Sequence, residues 1–153
     1  MEELITKINE CTDIKSLSDL NVSTDKDTKS LPEYQEAFNE KKSSLLDALV
    51  EKYKDQGASD WLTVTGNDGE IIAGFLRAPN IVVMRLALQA LMKGQGEISL
   101  DAGKVYLESL LIQKISDPRL YSQSEPQYVF VAPSAELACI TKIQVLQGDV
   151  KKK

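Results

Sequence analysis

The chain has 153 residues, 42% of them hydrophobic and 27% charged, a size and composition that suit one folded domain and exclude wholesale disorder. Its formal net charge is −5 and its pI is near 4.8, which argues against a dedicated nucleic-acid binder. It contains no histidine, which excludes histidine-based triads, general bases and metal ligands together.

The acidity belongs to the first third. Residues 1–56 hold 13 acidic and 8 basic side chains, whereas residues 57–153 hold 10 of each. The N-terminus carries Glu2 and Glu3 where a secretory signal wants basic residues, and it lacks an apolar stretch of signal length. The longest apolar candidate, Ile81 to Met92, is broken by Arg85 and Gln89 and is shorter than the roughly 18–20 residues that span a bilayer. Cys11 and Cys139 are too few for a zinc site without histidine. They pair only if the chain ends meet; the simpler expectation is two buried or indifferent thiols in a reducing compartment, most simply the cytoplasm.

Leu4, Ile5 and Ile8 recur at helical spacing, with Leu17 and Leu20 beyond a break at Thr12-Asp13. Residues 21–31 are polar and turn-rich, and read as a linker or mobile loop that makes 1–31 an acidic arm. A single helical domain is expected over 32–148, with a hairpin at 61–77 and a basic tail at 149–153. Pro32 to Gln56 has the strongest helical pattern. Pro32 fits a first turn, Glu33 and Glu36 lie at the positive end of the dipole, and Gly57 is a natural stop. Tyr34, Phe38, Leu45, Leu49 and Tyr53 share one side, widened by Leu46 and Val50, while Glu40, Lys41, Lys42, Asp47, Glu51 and Asp55 form a solvated face.

Two strand-like runs, Thr63-Val64-Thr65 and Ile71 to Leu76, flank Gly66-Asn67-Asp68-Gly69, whose residues tolerate φ > 0, and predict a hairpin. Gly74 marks a bulge or a close backbone approach. Two strands alone are marginal, so the ribbon must pack on helices or find a third strand. Asn80 caps a helix that is apolar nearly all round and is ended by Gly94 and Gly96; such a helix is central to a core or to an interface. A further helix runs from Ser99 to Ile112, and Asp117-Pro118 breaks the chain. Tyr128 to Val131 has strand propensity, and Pro133 looks like the start of a last helix ending at Gly148. The fold class expected is α+β, mostly helical, with one antiparallel hairpin packed on helices.

No reactive constellation stands out. Asp25, Asp27 and Glu36 fall at positions one, three and twelve of a calcium loop, but Lys29 occupies position five and Ser30 the glycine position. Gly66 to Gly69 and Gly94-Gln95-Gly96 do not continue into a phosphate-binding motif and read as turns. Asp101, Lys104 and Glu108 have the spacing of ordinary helix-surface pairs. No cofactor or metal is implied.

Residues 61–146 resemble small bacteriophage and prophage proteins described as tail-assembly-chaperone-like. The resemblance is carried by Trp61-Leu62-Thr63-Val64, Asp68-Gly69-Glu70-Ile71, Gly74 to Pro79, Val83 to Leu91 and Gly96 to Lys104: strand, Asp-Gly turn, aromatic-containing strand, proline, helix, and a glycine-bounded helix. The Leu31 to Gln56 helix is an addition ahead of that pattern, and Tyr128 to Pro133 departs from its simple C-terminal helix. The resemblance implies a non-enzymatic protein of the bacterial host cytoplasm that covers aggregation-prone structural subunits, such as a tape-measure protein, before assembly. Ile81, Val82, Met84, Leu88, Leu91 and Met92 are the expected protein-binding residues, with a phage structural protein or a second copy as partner and neither nucleic acid nor membrane involved. A virion structural or accessory protein is the alternative. A small carboxylate-dependent enzyme, which would need two acids converging in a concave pocket, is the third.

Overall fold

The hairpin organises the chain. In the computed structural model, which describes residues 1–93 and 100–151 (side chains to 148), β1 (Asp60–Thr65) pairs antiparallel with β2 (Ile71–Leu76) in a two-stranded sheet. Trp61 stands opposite Phe75 and Val64 opposite Ile72. The turn closes through Gly66 N–H donating to the Glu70 carbonyl (2.8 Å) and Gly69 N–H donating to the Gly66 carbonyl (2.9 Å). Gly69 sits at φ +97°, a conformation that costs a side chain dearly.

A ribbon this small needs covering on both faces, and helices supply it. On one side lie α1 (Glu2–Glu10), α2 (Ile14–Ser23), α3 (Lys26–Lys29) and α4 (Pro32–Lys52); on the other lie α5 (Ile81–Met92), α6 (Leu100–Leu110) and α7 (Tyr128–Lys151). Because side chains alternate along a strand, Ile71 enters a small core with Ile8, Leu17, Tyr34 and Phe38. Phe75, on the same face, meets the Tyr53 ring edge-on at 5.7 Å. Leu62, Val64, Ile72 and Leu76 point the other way, into the main core with Ala87, Tyr106, Leu110, Ala135, Cys139 and Ile143. The mostly helical α+β architecture with one antiparallel hairpin is as the sequence predicts.

The outer edge of β2 is closed by loops. Ile71 N–H donates to Ser18 Oγ and Phe75 N–H to Ser116 Oγ, both at 2.9 Å. Ile112 N–H donates to the Phe75 carbonyl, Asp117 N–H to the Ala73 carbonyl, and Arg77 N–H to the Leu110 carbonyl. Residues 110–117 thus act as an irregular third strand, which explains why Ser18 and Ser116 are buried.

Two stretches differ from the sequence reading. Residues 1–31 are not an arm: α1 to α3 pack on α4 and on the turn. Asn21 Nδ2 donates to the Gly69 carbonyl (2.6 Å), Tyr34 OH donates to Asn21 Oδ1 (2.7 Å), and Lys29 Nζ donates to the Asp68 carbonyl (3.1 Å). The polar residues that looked like a linker are the grip on the hairpin. Asp25, the first residue of the false calcium loop, caps α3 by accepting from Thr28 N–H and Oγ1. Asp47 is exposed, as expected of the solvated face, and also accepts from Trp61 Nε1 at 2.7 Å, which ties α4 to β1.

At the other end, α7 begins at Tyr128, encloses Pro133 and continues past Gly148 to Lys151. Strand propensity loses there because Val131, Ala132 and Ala135 pack into the core. Pro133 faces solvent in the second turn, where the loss of one backbone bond is tolerated. Gly94, Gly96 and Ser99, expected to end one helix and cap the next, lie outside the described residues, as do Lys152 and Lys153 of the expected tail. Cys11 and Cys139 are both free thiols.

The tightest packing is where α6 crosses α7. A Cβ built on Gly103 would overlap the Glu136 backbone carbonyl. On an exposed helix, glycine to alanine gains about 1 kcal/mol. At this crossing the clash dominates, because neither backbone can retreat without opening the core. Gly103→Ala is expected to destabilise the fold by about 1–3 kcal/mol, read as a lower denaturant midpoint.

Candidate functional site

Asn80 starts α5 by accepting from Val83 N–H at 2.9 Å. From there the helix lies on the outside of α6, touching α7 only slightly, so one face of it is covered. Val83 and Ala87 are buried, and Met84, Leu88, Ala90 and Leu91 pack against the core edge. The opposite face keeps its apolar residues in solvent: Ile81 is 66% exposed, Val82 61%, Leu86 49% and Met92 81%. Val82 and Leu86 are one turn apart, and Ile81 and Met92 are three turns apart along the same side.

The six expected binding residues therefore divide. Ile81, Val82 and Met92 are presented to solvent, whereas Met84, Leu88 and Leu91 turn toward the core. Periodicity could not separate them, because an all-round apolar helix carries no polar stripe to mark its outer side. Leu86 belongs to the exposed face and escaped the sequence reading for the same reason.

A second apolar surface was also missed. On α7, Phe130 is 77% exposed and Leu137 51%, two turns apart on one side, with Val129 and Val145 also exposed. The segment Tyr128–Gly148 has the length and mean hydropathy (1.4) of a membrane span. Its inner side, including Ala135, Cys139 and Ile143, is core in this fold, and Lys142 pairs with Asp60 at 2.7 Å. Burial pushes the Cys139 thiol up to about 12, so it is held protonated in the core.

The clefts hold few reactive groups. Among the described residues there is no cluster of acids and thiols able to hold a metal ion. A cleft of about 810 Å³ runs between α2, α4 and the outer edge of β2. At its end Arg119 is fully occupied. It donates to both carboxylate oxygens of Glu70 (2.8 and 3.0 Å), to both of Asp117 (3.0 and 2.7 Å) and to Gln127. Burial works against the Asp117 charge, but the hydrogen bonds and charge of Arg119 outweigh it and hold that carboxyl below its usual range. This cluster latches the turn and the start of α7 to the 110–117 segment.

Glu108 and Glu136 do share a smaller cleft of about 290 Å³ with Tyr121 and Tyr128. Burial raises the Glu136 carboxyl, Lys104 partly offsets this, and the charges of Glu108 and Asp101 raise it further. Two acids in one concavity are what the enzymatic alternative asks for. Among the described residues that line this cleft, the other titratable groups are the two tyrosines.

No family model, curated protein or solved structure matches this chain.

A carboxyl raised in the folded state binds its proton more tightly there than in the unfolded chain, so its contribution to stability falls as pH rises through the folded value. Glu136→Gln removes that loss. The variant is expected to unfold at a higher urea concentration than the wild type at pH 7, with the two converging below about pH 4, where both states are protonated. Replacing Arg119 with Gln leaves Glu70 and Asp117 facing each other without their shared donor, and is expected to cost about 1–3 kcal/mol in the same assay.

Proposed function

We propose that this protein is a non-enzymatic assembly factor that binds a structural subunit through the outer face of α5, working in the cytoplasm of a bacterial host. The observation that carries this reading is the exposure of Ile81, Val82, Leu86 and Met92 on one side of a single helix. An exposed apolar helix face is costly in water and is covered when an amphipathic partner helix lies against it. The resemblance of residues 61–146 to tail-assembly-chaperone-like proteins supplies the class of partner: a tailed-phage structural protein with apolar helical segments. The excess negative charge of residues 1–56 favours solubility while such a client is held.

A virion structural role is the second reading, favoured by the additional exposed residues Phe130 and Leu137 on α7, which would suit a fixed place in a particle or contact with a second copy.

The test is co-expression with tail structural proteins, followed by pull-down of the wild type and of Val82→Asp/Leu86→Asp. Because both positions are exposed, the double variant should keep its stability within about 0.5 kcal/mol per site. It should lose its partner, with affinity down by about tenfold or more. Equal retention by both forms would place the interface elsewhere, and no retained partner would count against the assembly role. Mass spectrometry of purified particles separates the two readings, since an assembly factor is absent from them.

A further inference from the structure

A cleft of about 420 Å³ opens at the free end of the hairpin, between the start of β1, the Arg77–Pro79 exit from β2 and the C-terminal half of α7. Its volume is within the range of small-molecule sites. Pro79, Val145 and Leu146 give it an apolar wall. Its polar groups are Arg77, Tyr106, Thr141, Ser59 and the Lys142–Asp60 ion pair.

Two of these are unusual. Tyr106 is 98% buried, at 2% relative exposure, yet its hydroxyl has no hydrogen-bond partner among the described residues. No side-chain oxygen or nitrogen that is itself buried lacks a partner among the described residues, so this hydroxyl reaches solvent and is free to donate to a ligand. The ring is packed in the main core, so the hydroxyl is the part that meets the cleft. Burial first, and then the charges of Asp60 and Cys139, push its ionisation up to about 12, so it is held as a donor. Arg77 is the second. Its stem lies over Gly57, and among the described residues its guanidinium makes no ion pair. Lys142 is already matched by Asp60, so the charges around the cleft leave one positive charge in excess, that of Arg77.

We propose that this cleft binds a small organic acid with an apolar body, its carboxylate held by the Arg77 guanidinium and the Tyr106 hydroxyl and its hydrocarbon portion laid against Pro79, Val145 and Leu146. Guanidinium and carboxylate match as a planar fork, and a phenol donating to an anion makes a charge-assisted bond. The apolar wall favours an organic acid over an inorganic anion, since both would meet the same donors but only the organic acid gains by covering Pro79, Val145 and Leu146. The site is separate from the exposed face of α5 and does not depend on its role.

The probe is hexanoate, titrated into the full chain and followed by amide chemical shifts, with hexanol and hexylammonium as comparisons. Hexanoate is expected to perturb, saturably, the amides of residues 59–60, 77 and 141–146, and to bind at least about fivefold more tightly than hexanol. Arg77→Gln is expected to abolish the preference for the acid. Tyr106→Phe, which keeps the packed ring and removes only the hydroxyl, is expected to weaken hexanoate by about tenfold without lowering stability. Equal binding of hexanol, tighter binding of hexylammonium, an unaffected Tyr106→Phe, or no localised shifts up to about 10 mM acid would each overturn the proposal.

Discussion

The outer edge of β2 is the constraint on which the other contacts depend. A two-stranded ribbon leaves one edge of each strand without a ladder partner, and buried backbone groups left so cost as much as lost hydrogen bonds. Here the edge of β2 is satisfied by two serine hydroxyls and by the irregular segment 110–117. Ser18 brings α2 to one end of the edge, and Ser116 brings the connection after α6 to the other. The same few bonds that make the ribbon stable therefore decide where both helical layers sit. Arg119 strengthens the arrangement by tying Glu70, at the end of the turn, to Asp117, which itself donates to Ala73.

With the ribbon held, the rest of the packing follows. Its inner face needs a continuous apolar cover, and α6 and α7 supply it by crossing closely at Gly103. That crossing uses up the best-packed positions of both helices. The remaining helix, α5, can reach only the outside of α6. Its composition would suit a helix covered on every side, but the fold covers one side. The mismatch between an all-apolar sequence and a half-covered position gives the molecule its candidate interaction surface.

The chemistry of the clefts points the same way. Most polar groups inside are matched: Arg119 by two carboxylates, Lys142 by Asp60, and Asn21 by Tyr34 and the turn. Glu136 is perturbed mainly because it is partly buried beside a helix crossing. The Tyr106 hydroxyl differs from these in making no hydrogen bond within the described protein and in reaching solvent at its cleft.

The sequence by itself determined the elements whose signals are local. The 32–52 helix was legible from Pro32, its dipole charges and the Tyr34–Phe38 side, and the hairpin from the turn residues Gly66 to Gly69 between β-branched runs. The fold class followed from these. What only the tertiary structure decided were the partners of polar residues and the outward side of apolar helices. Asn21 reads as a turn residue until Gly69, 48 positions away, is brought to it. Tyr128 to Val131 has strand propensity, but it forms the first turn of a helix that buries Val131, Ala132 and Ala135 in the core. On α5, nothing local distinguishes Val82, which is exposed, from Val83, which is buried. A local signal reports what a residue prefers. Which groups meet is set by long-range packing, where the free energy of burial exceeds the few tenths of a kcal/mol, or about 1 at most, that propensity contributes at a residue.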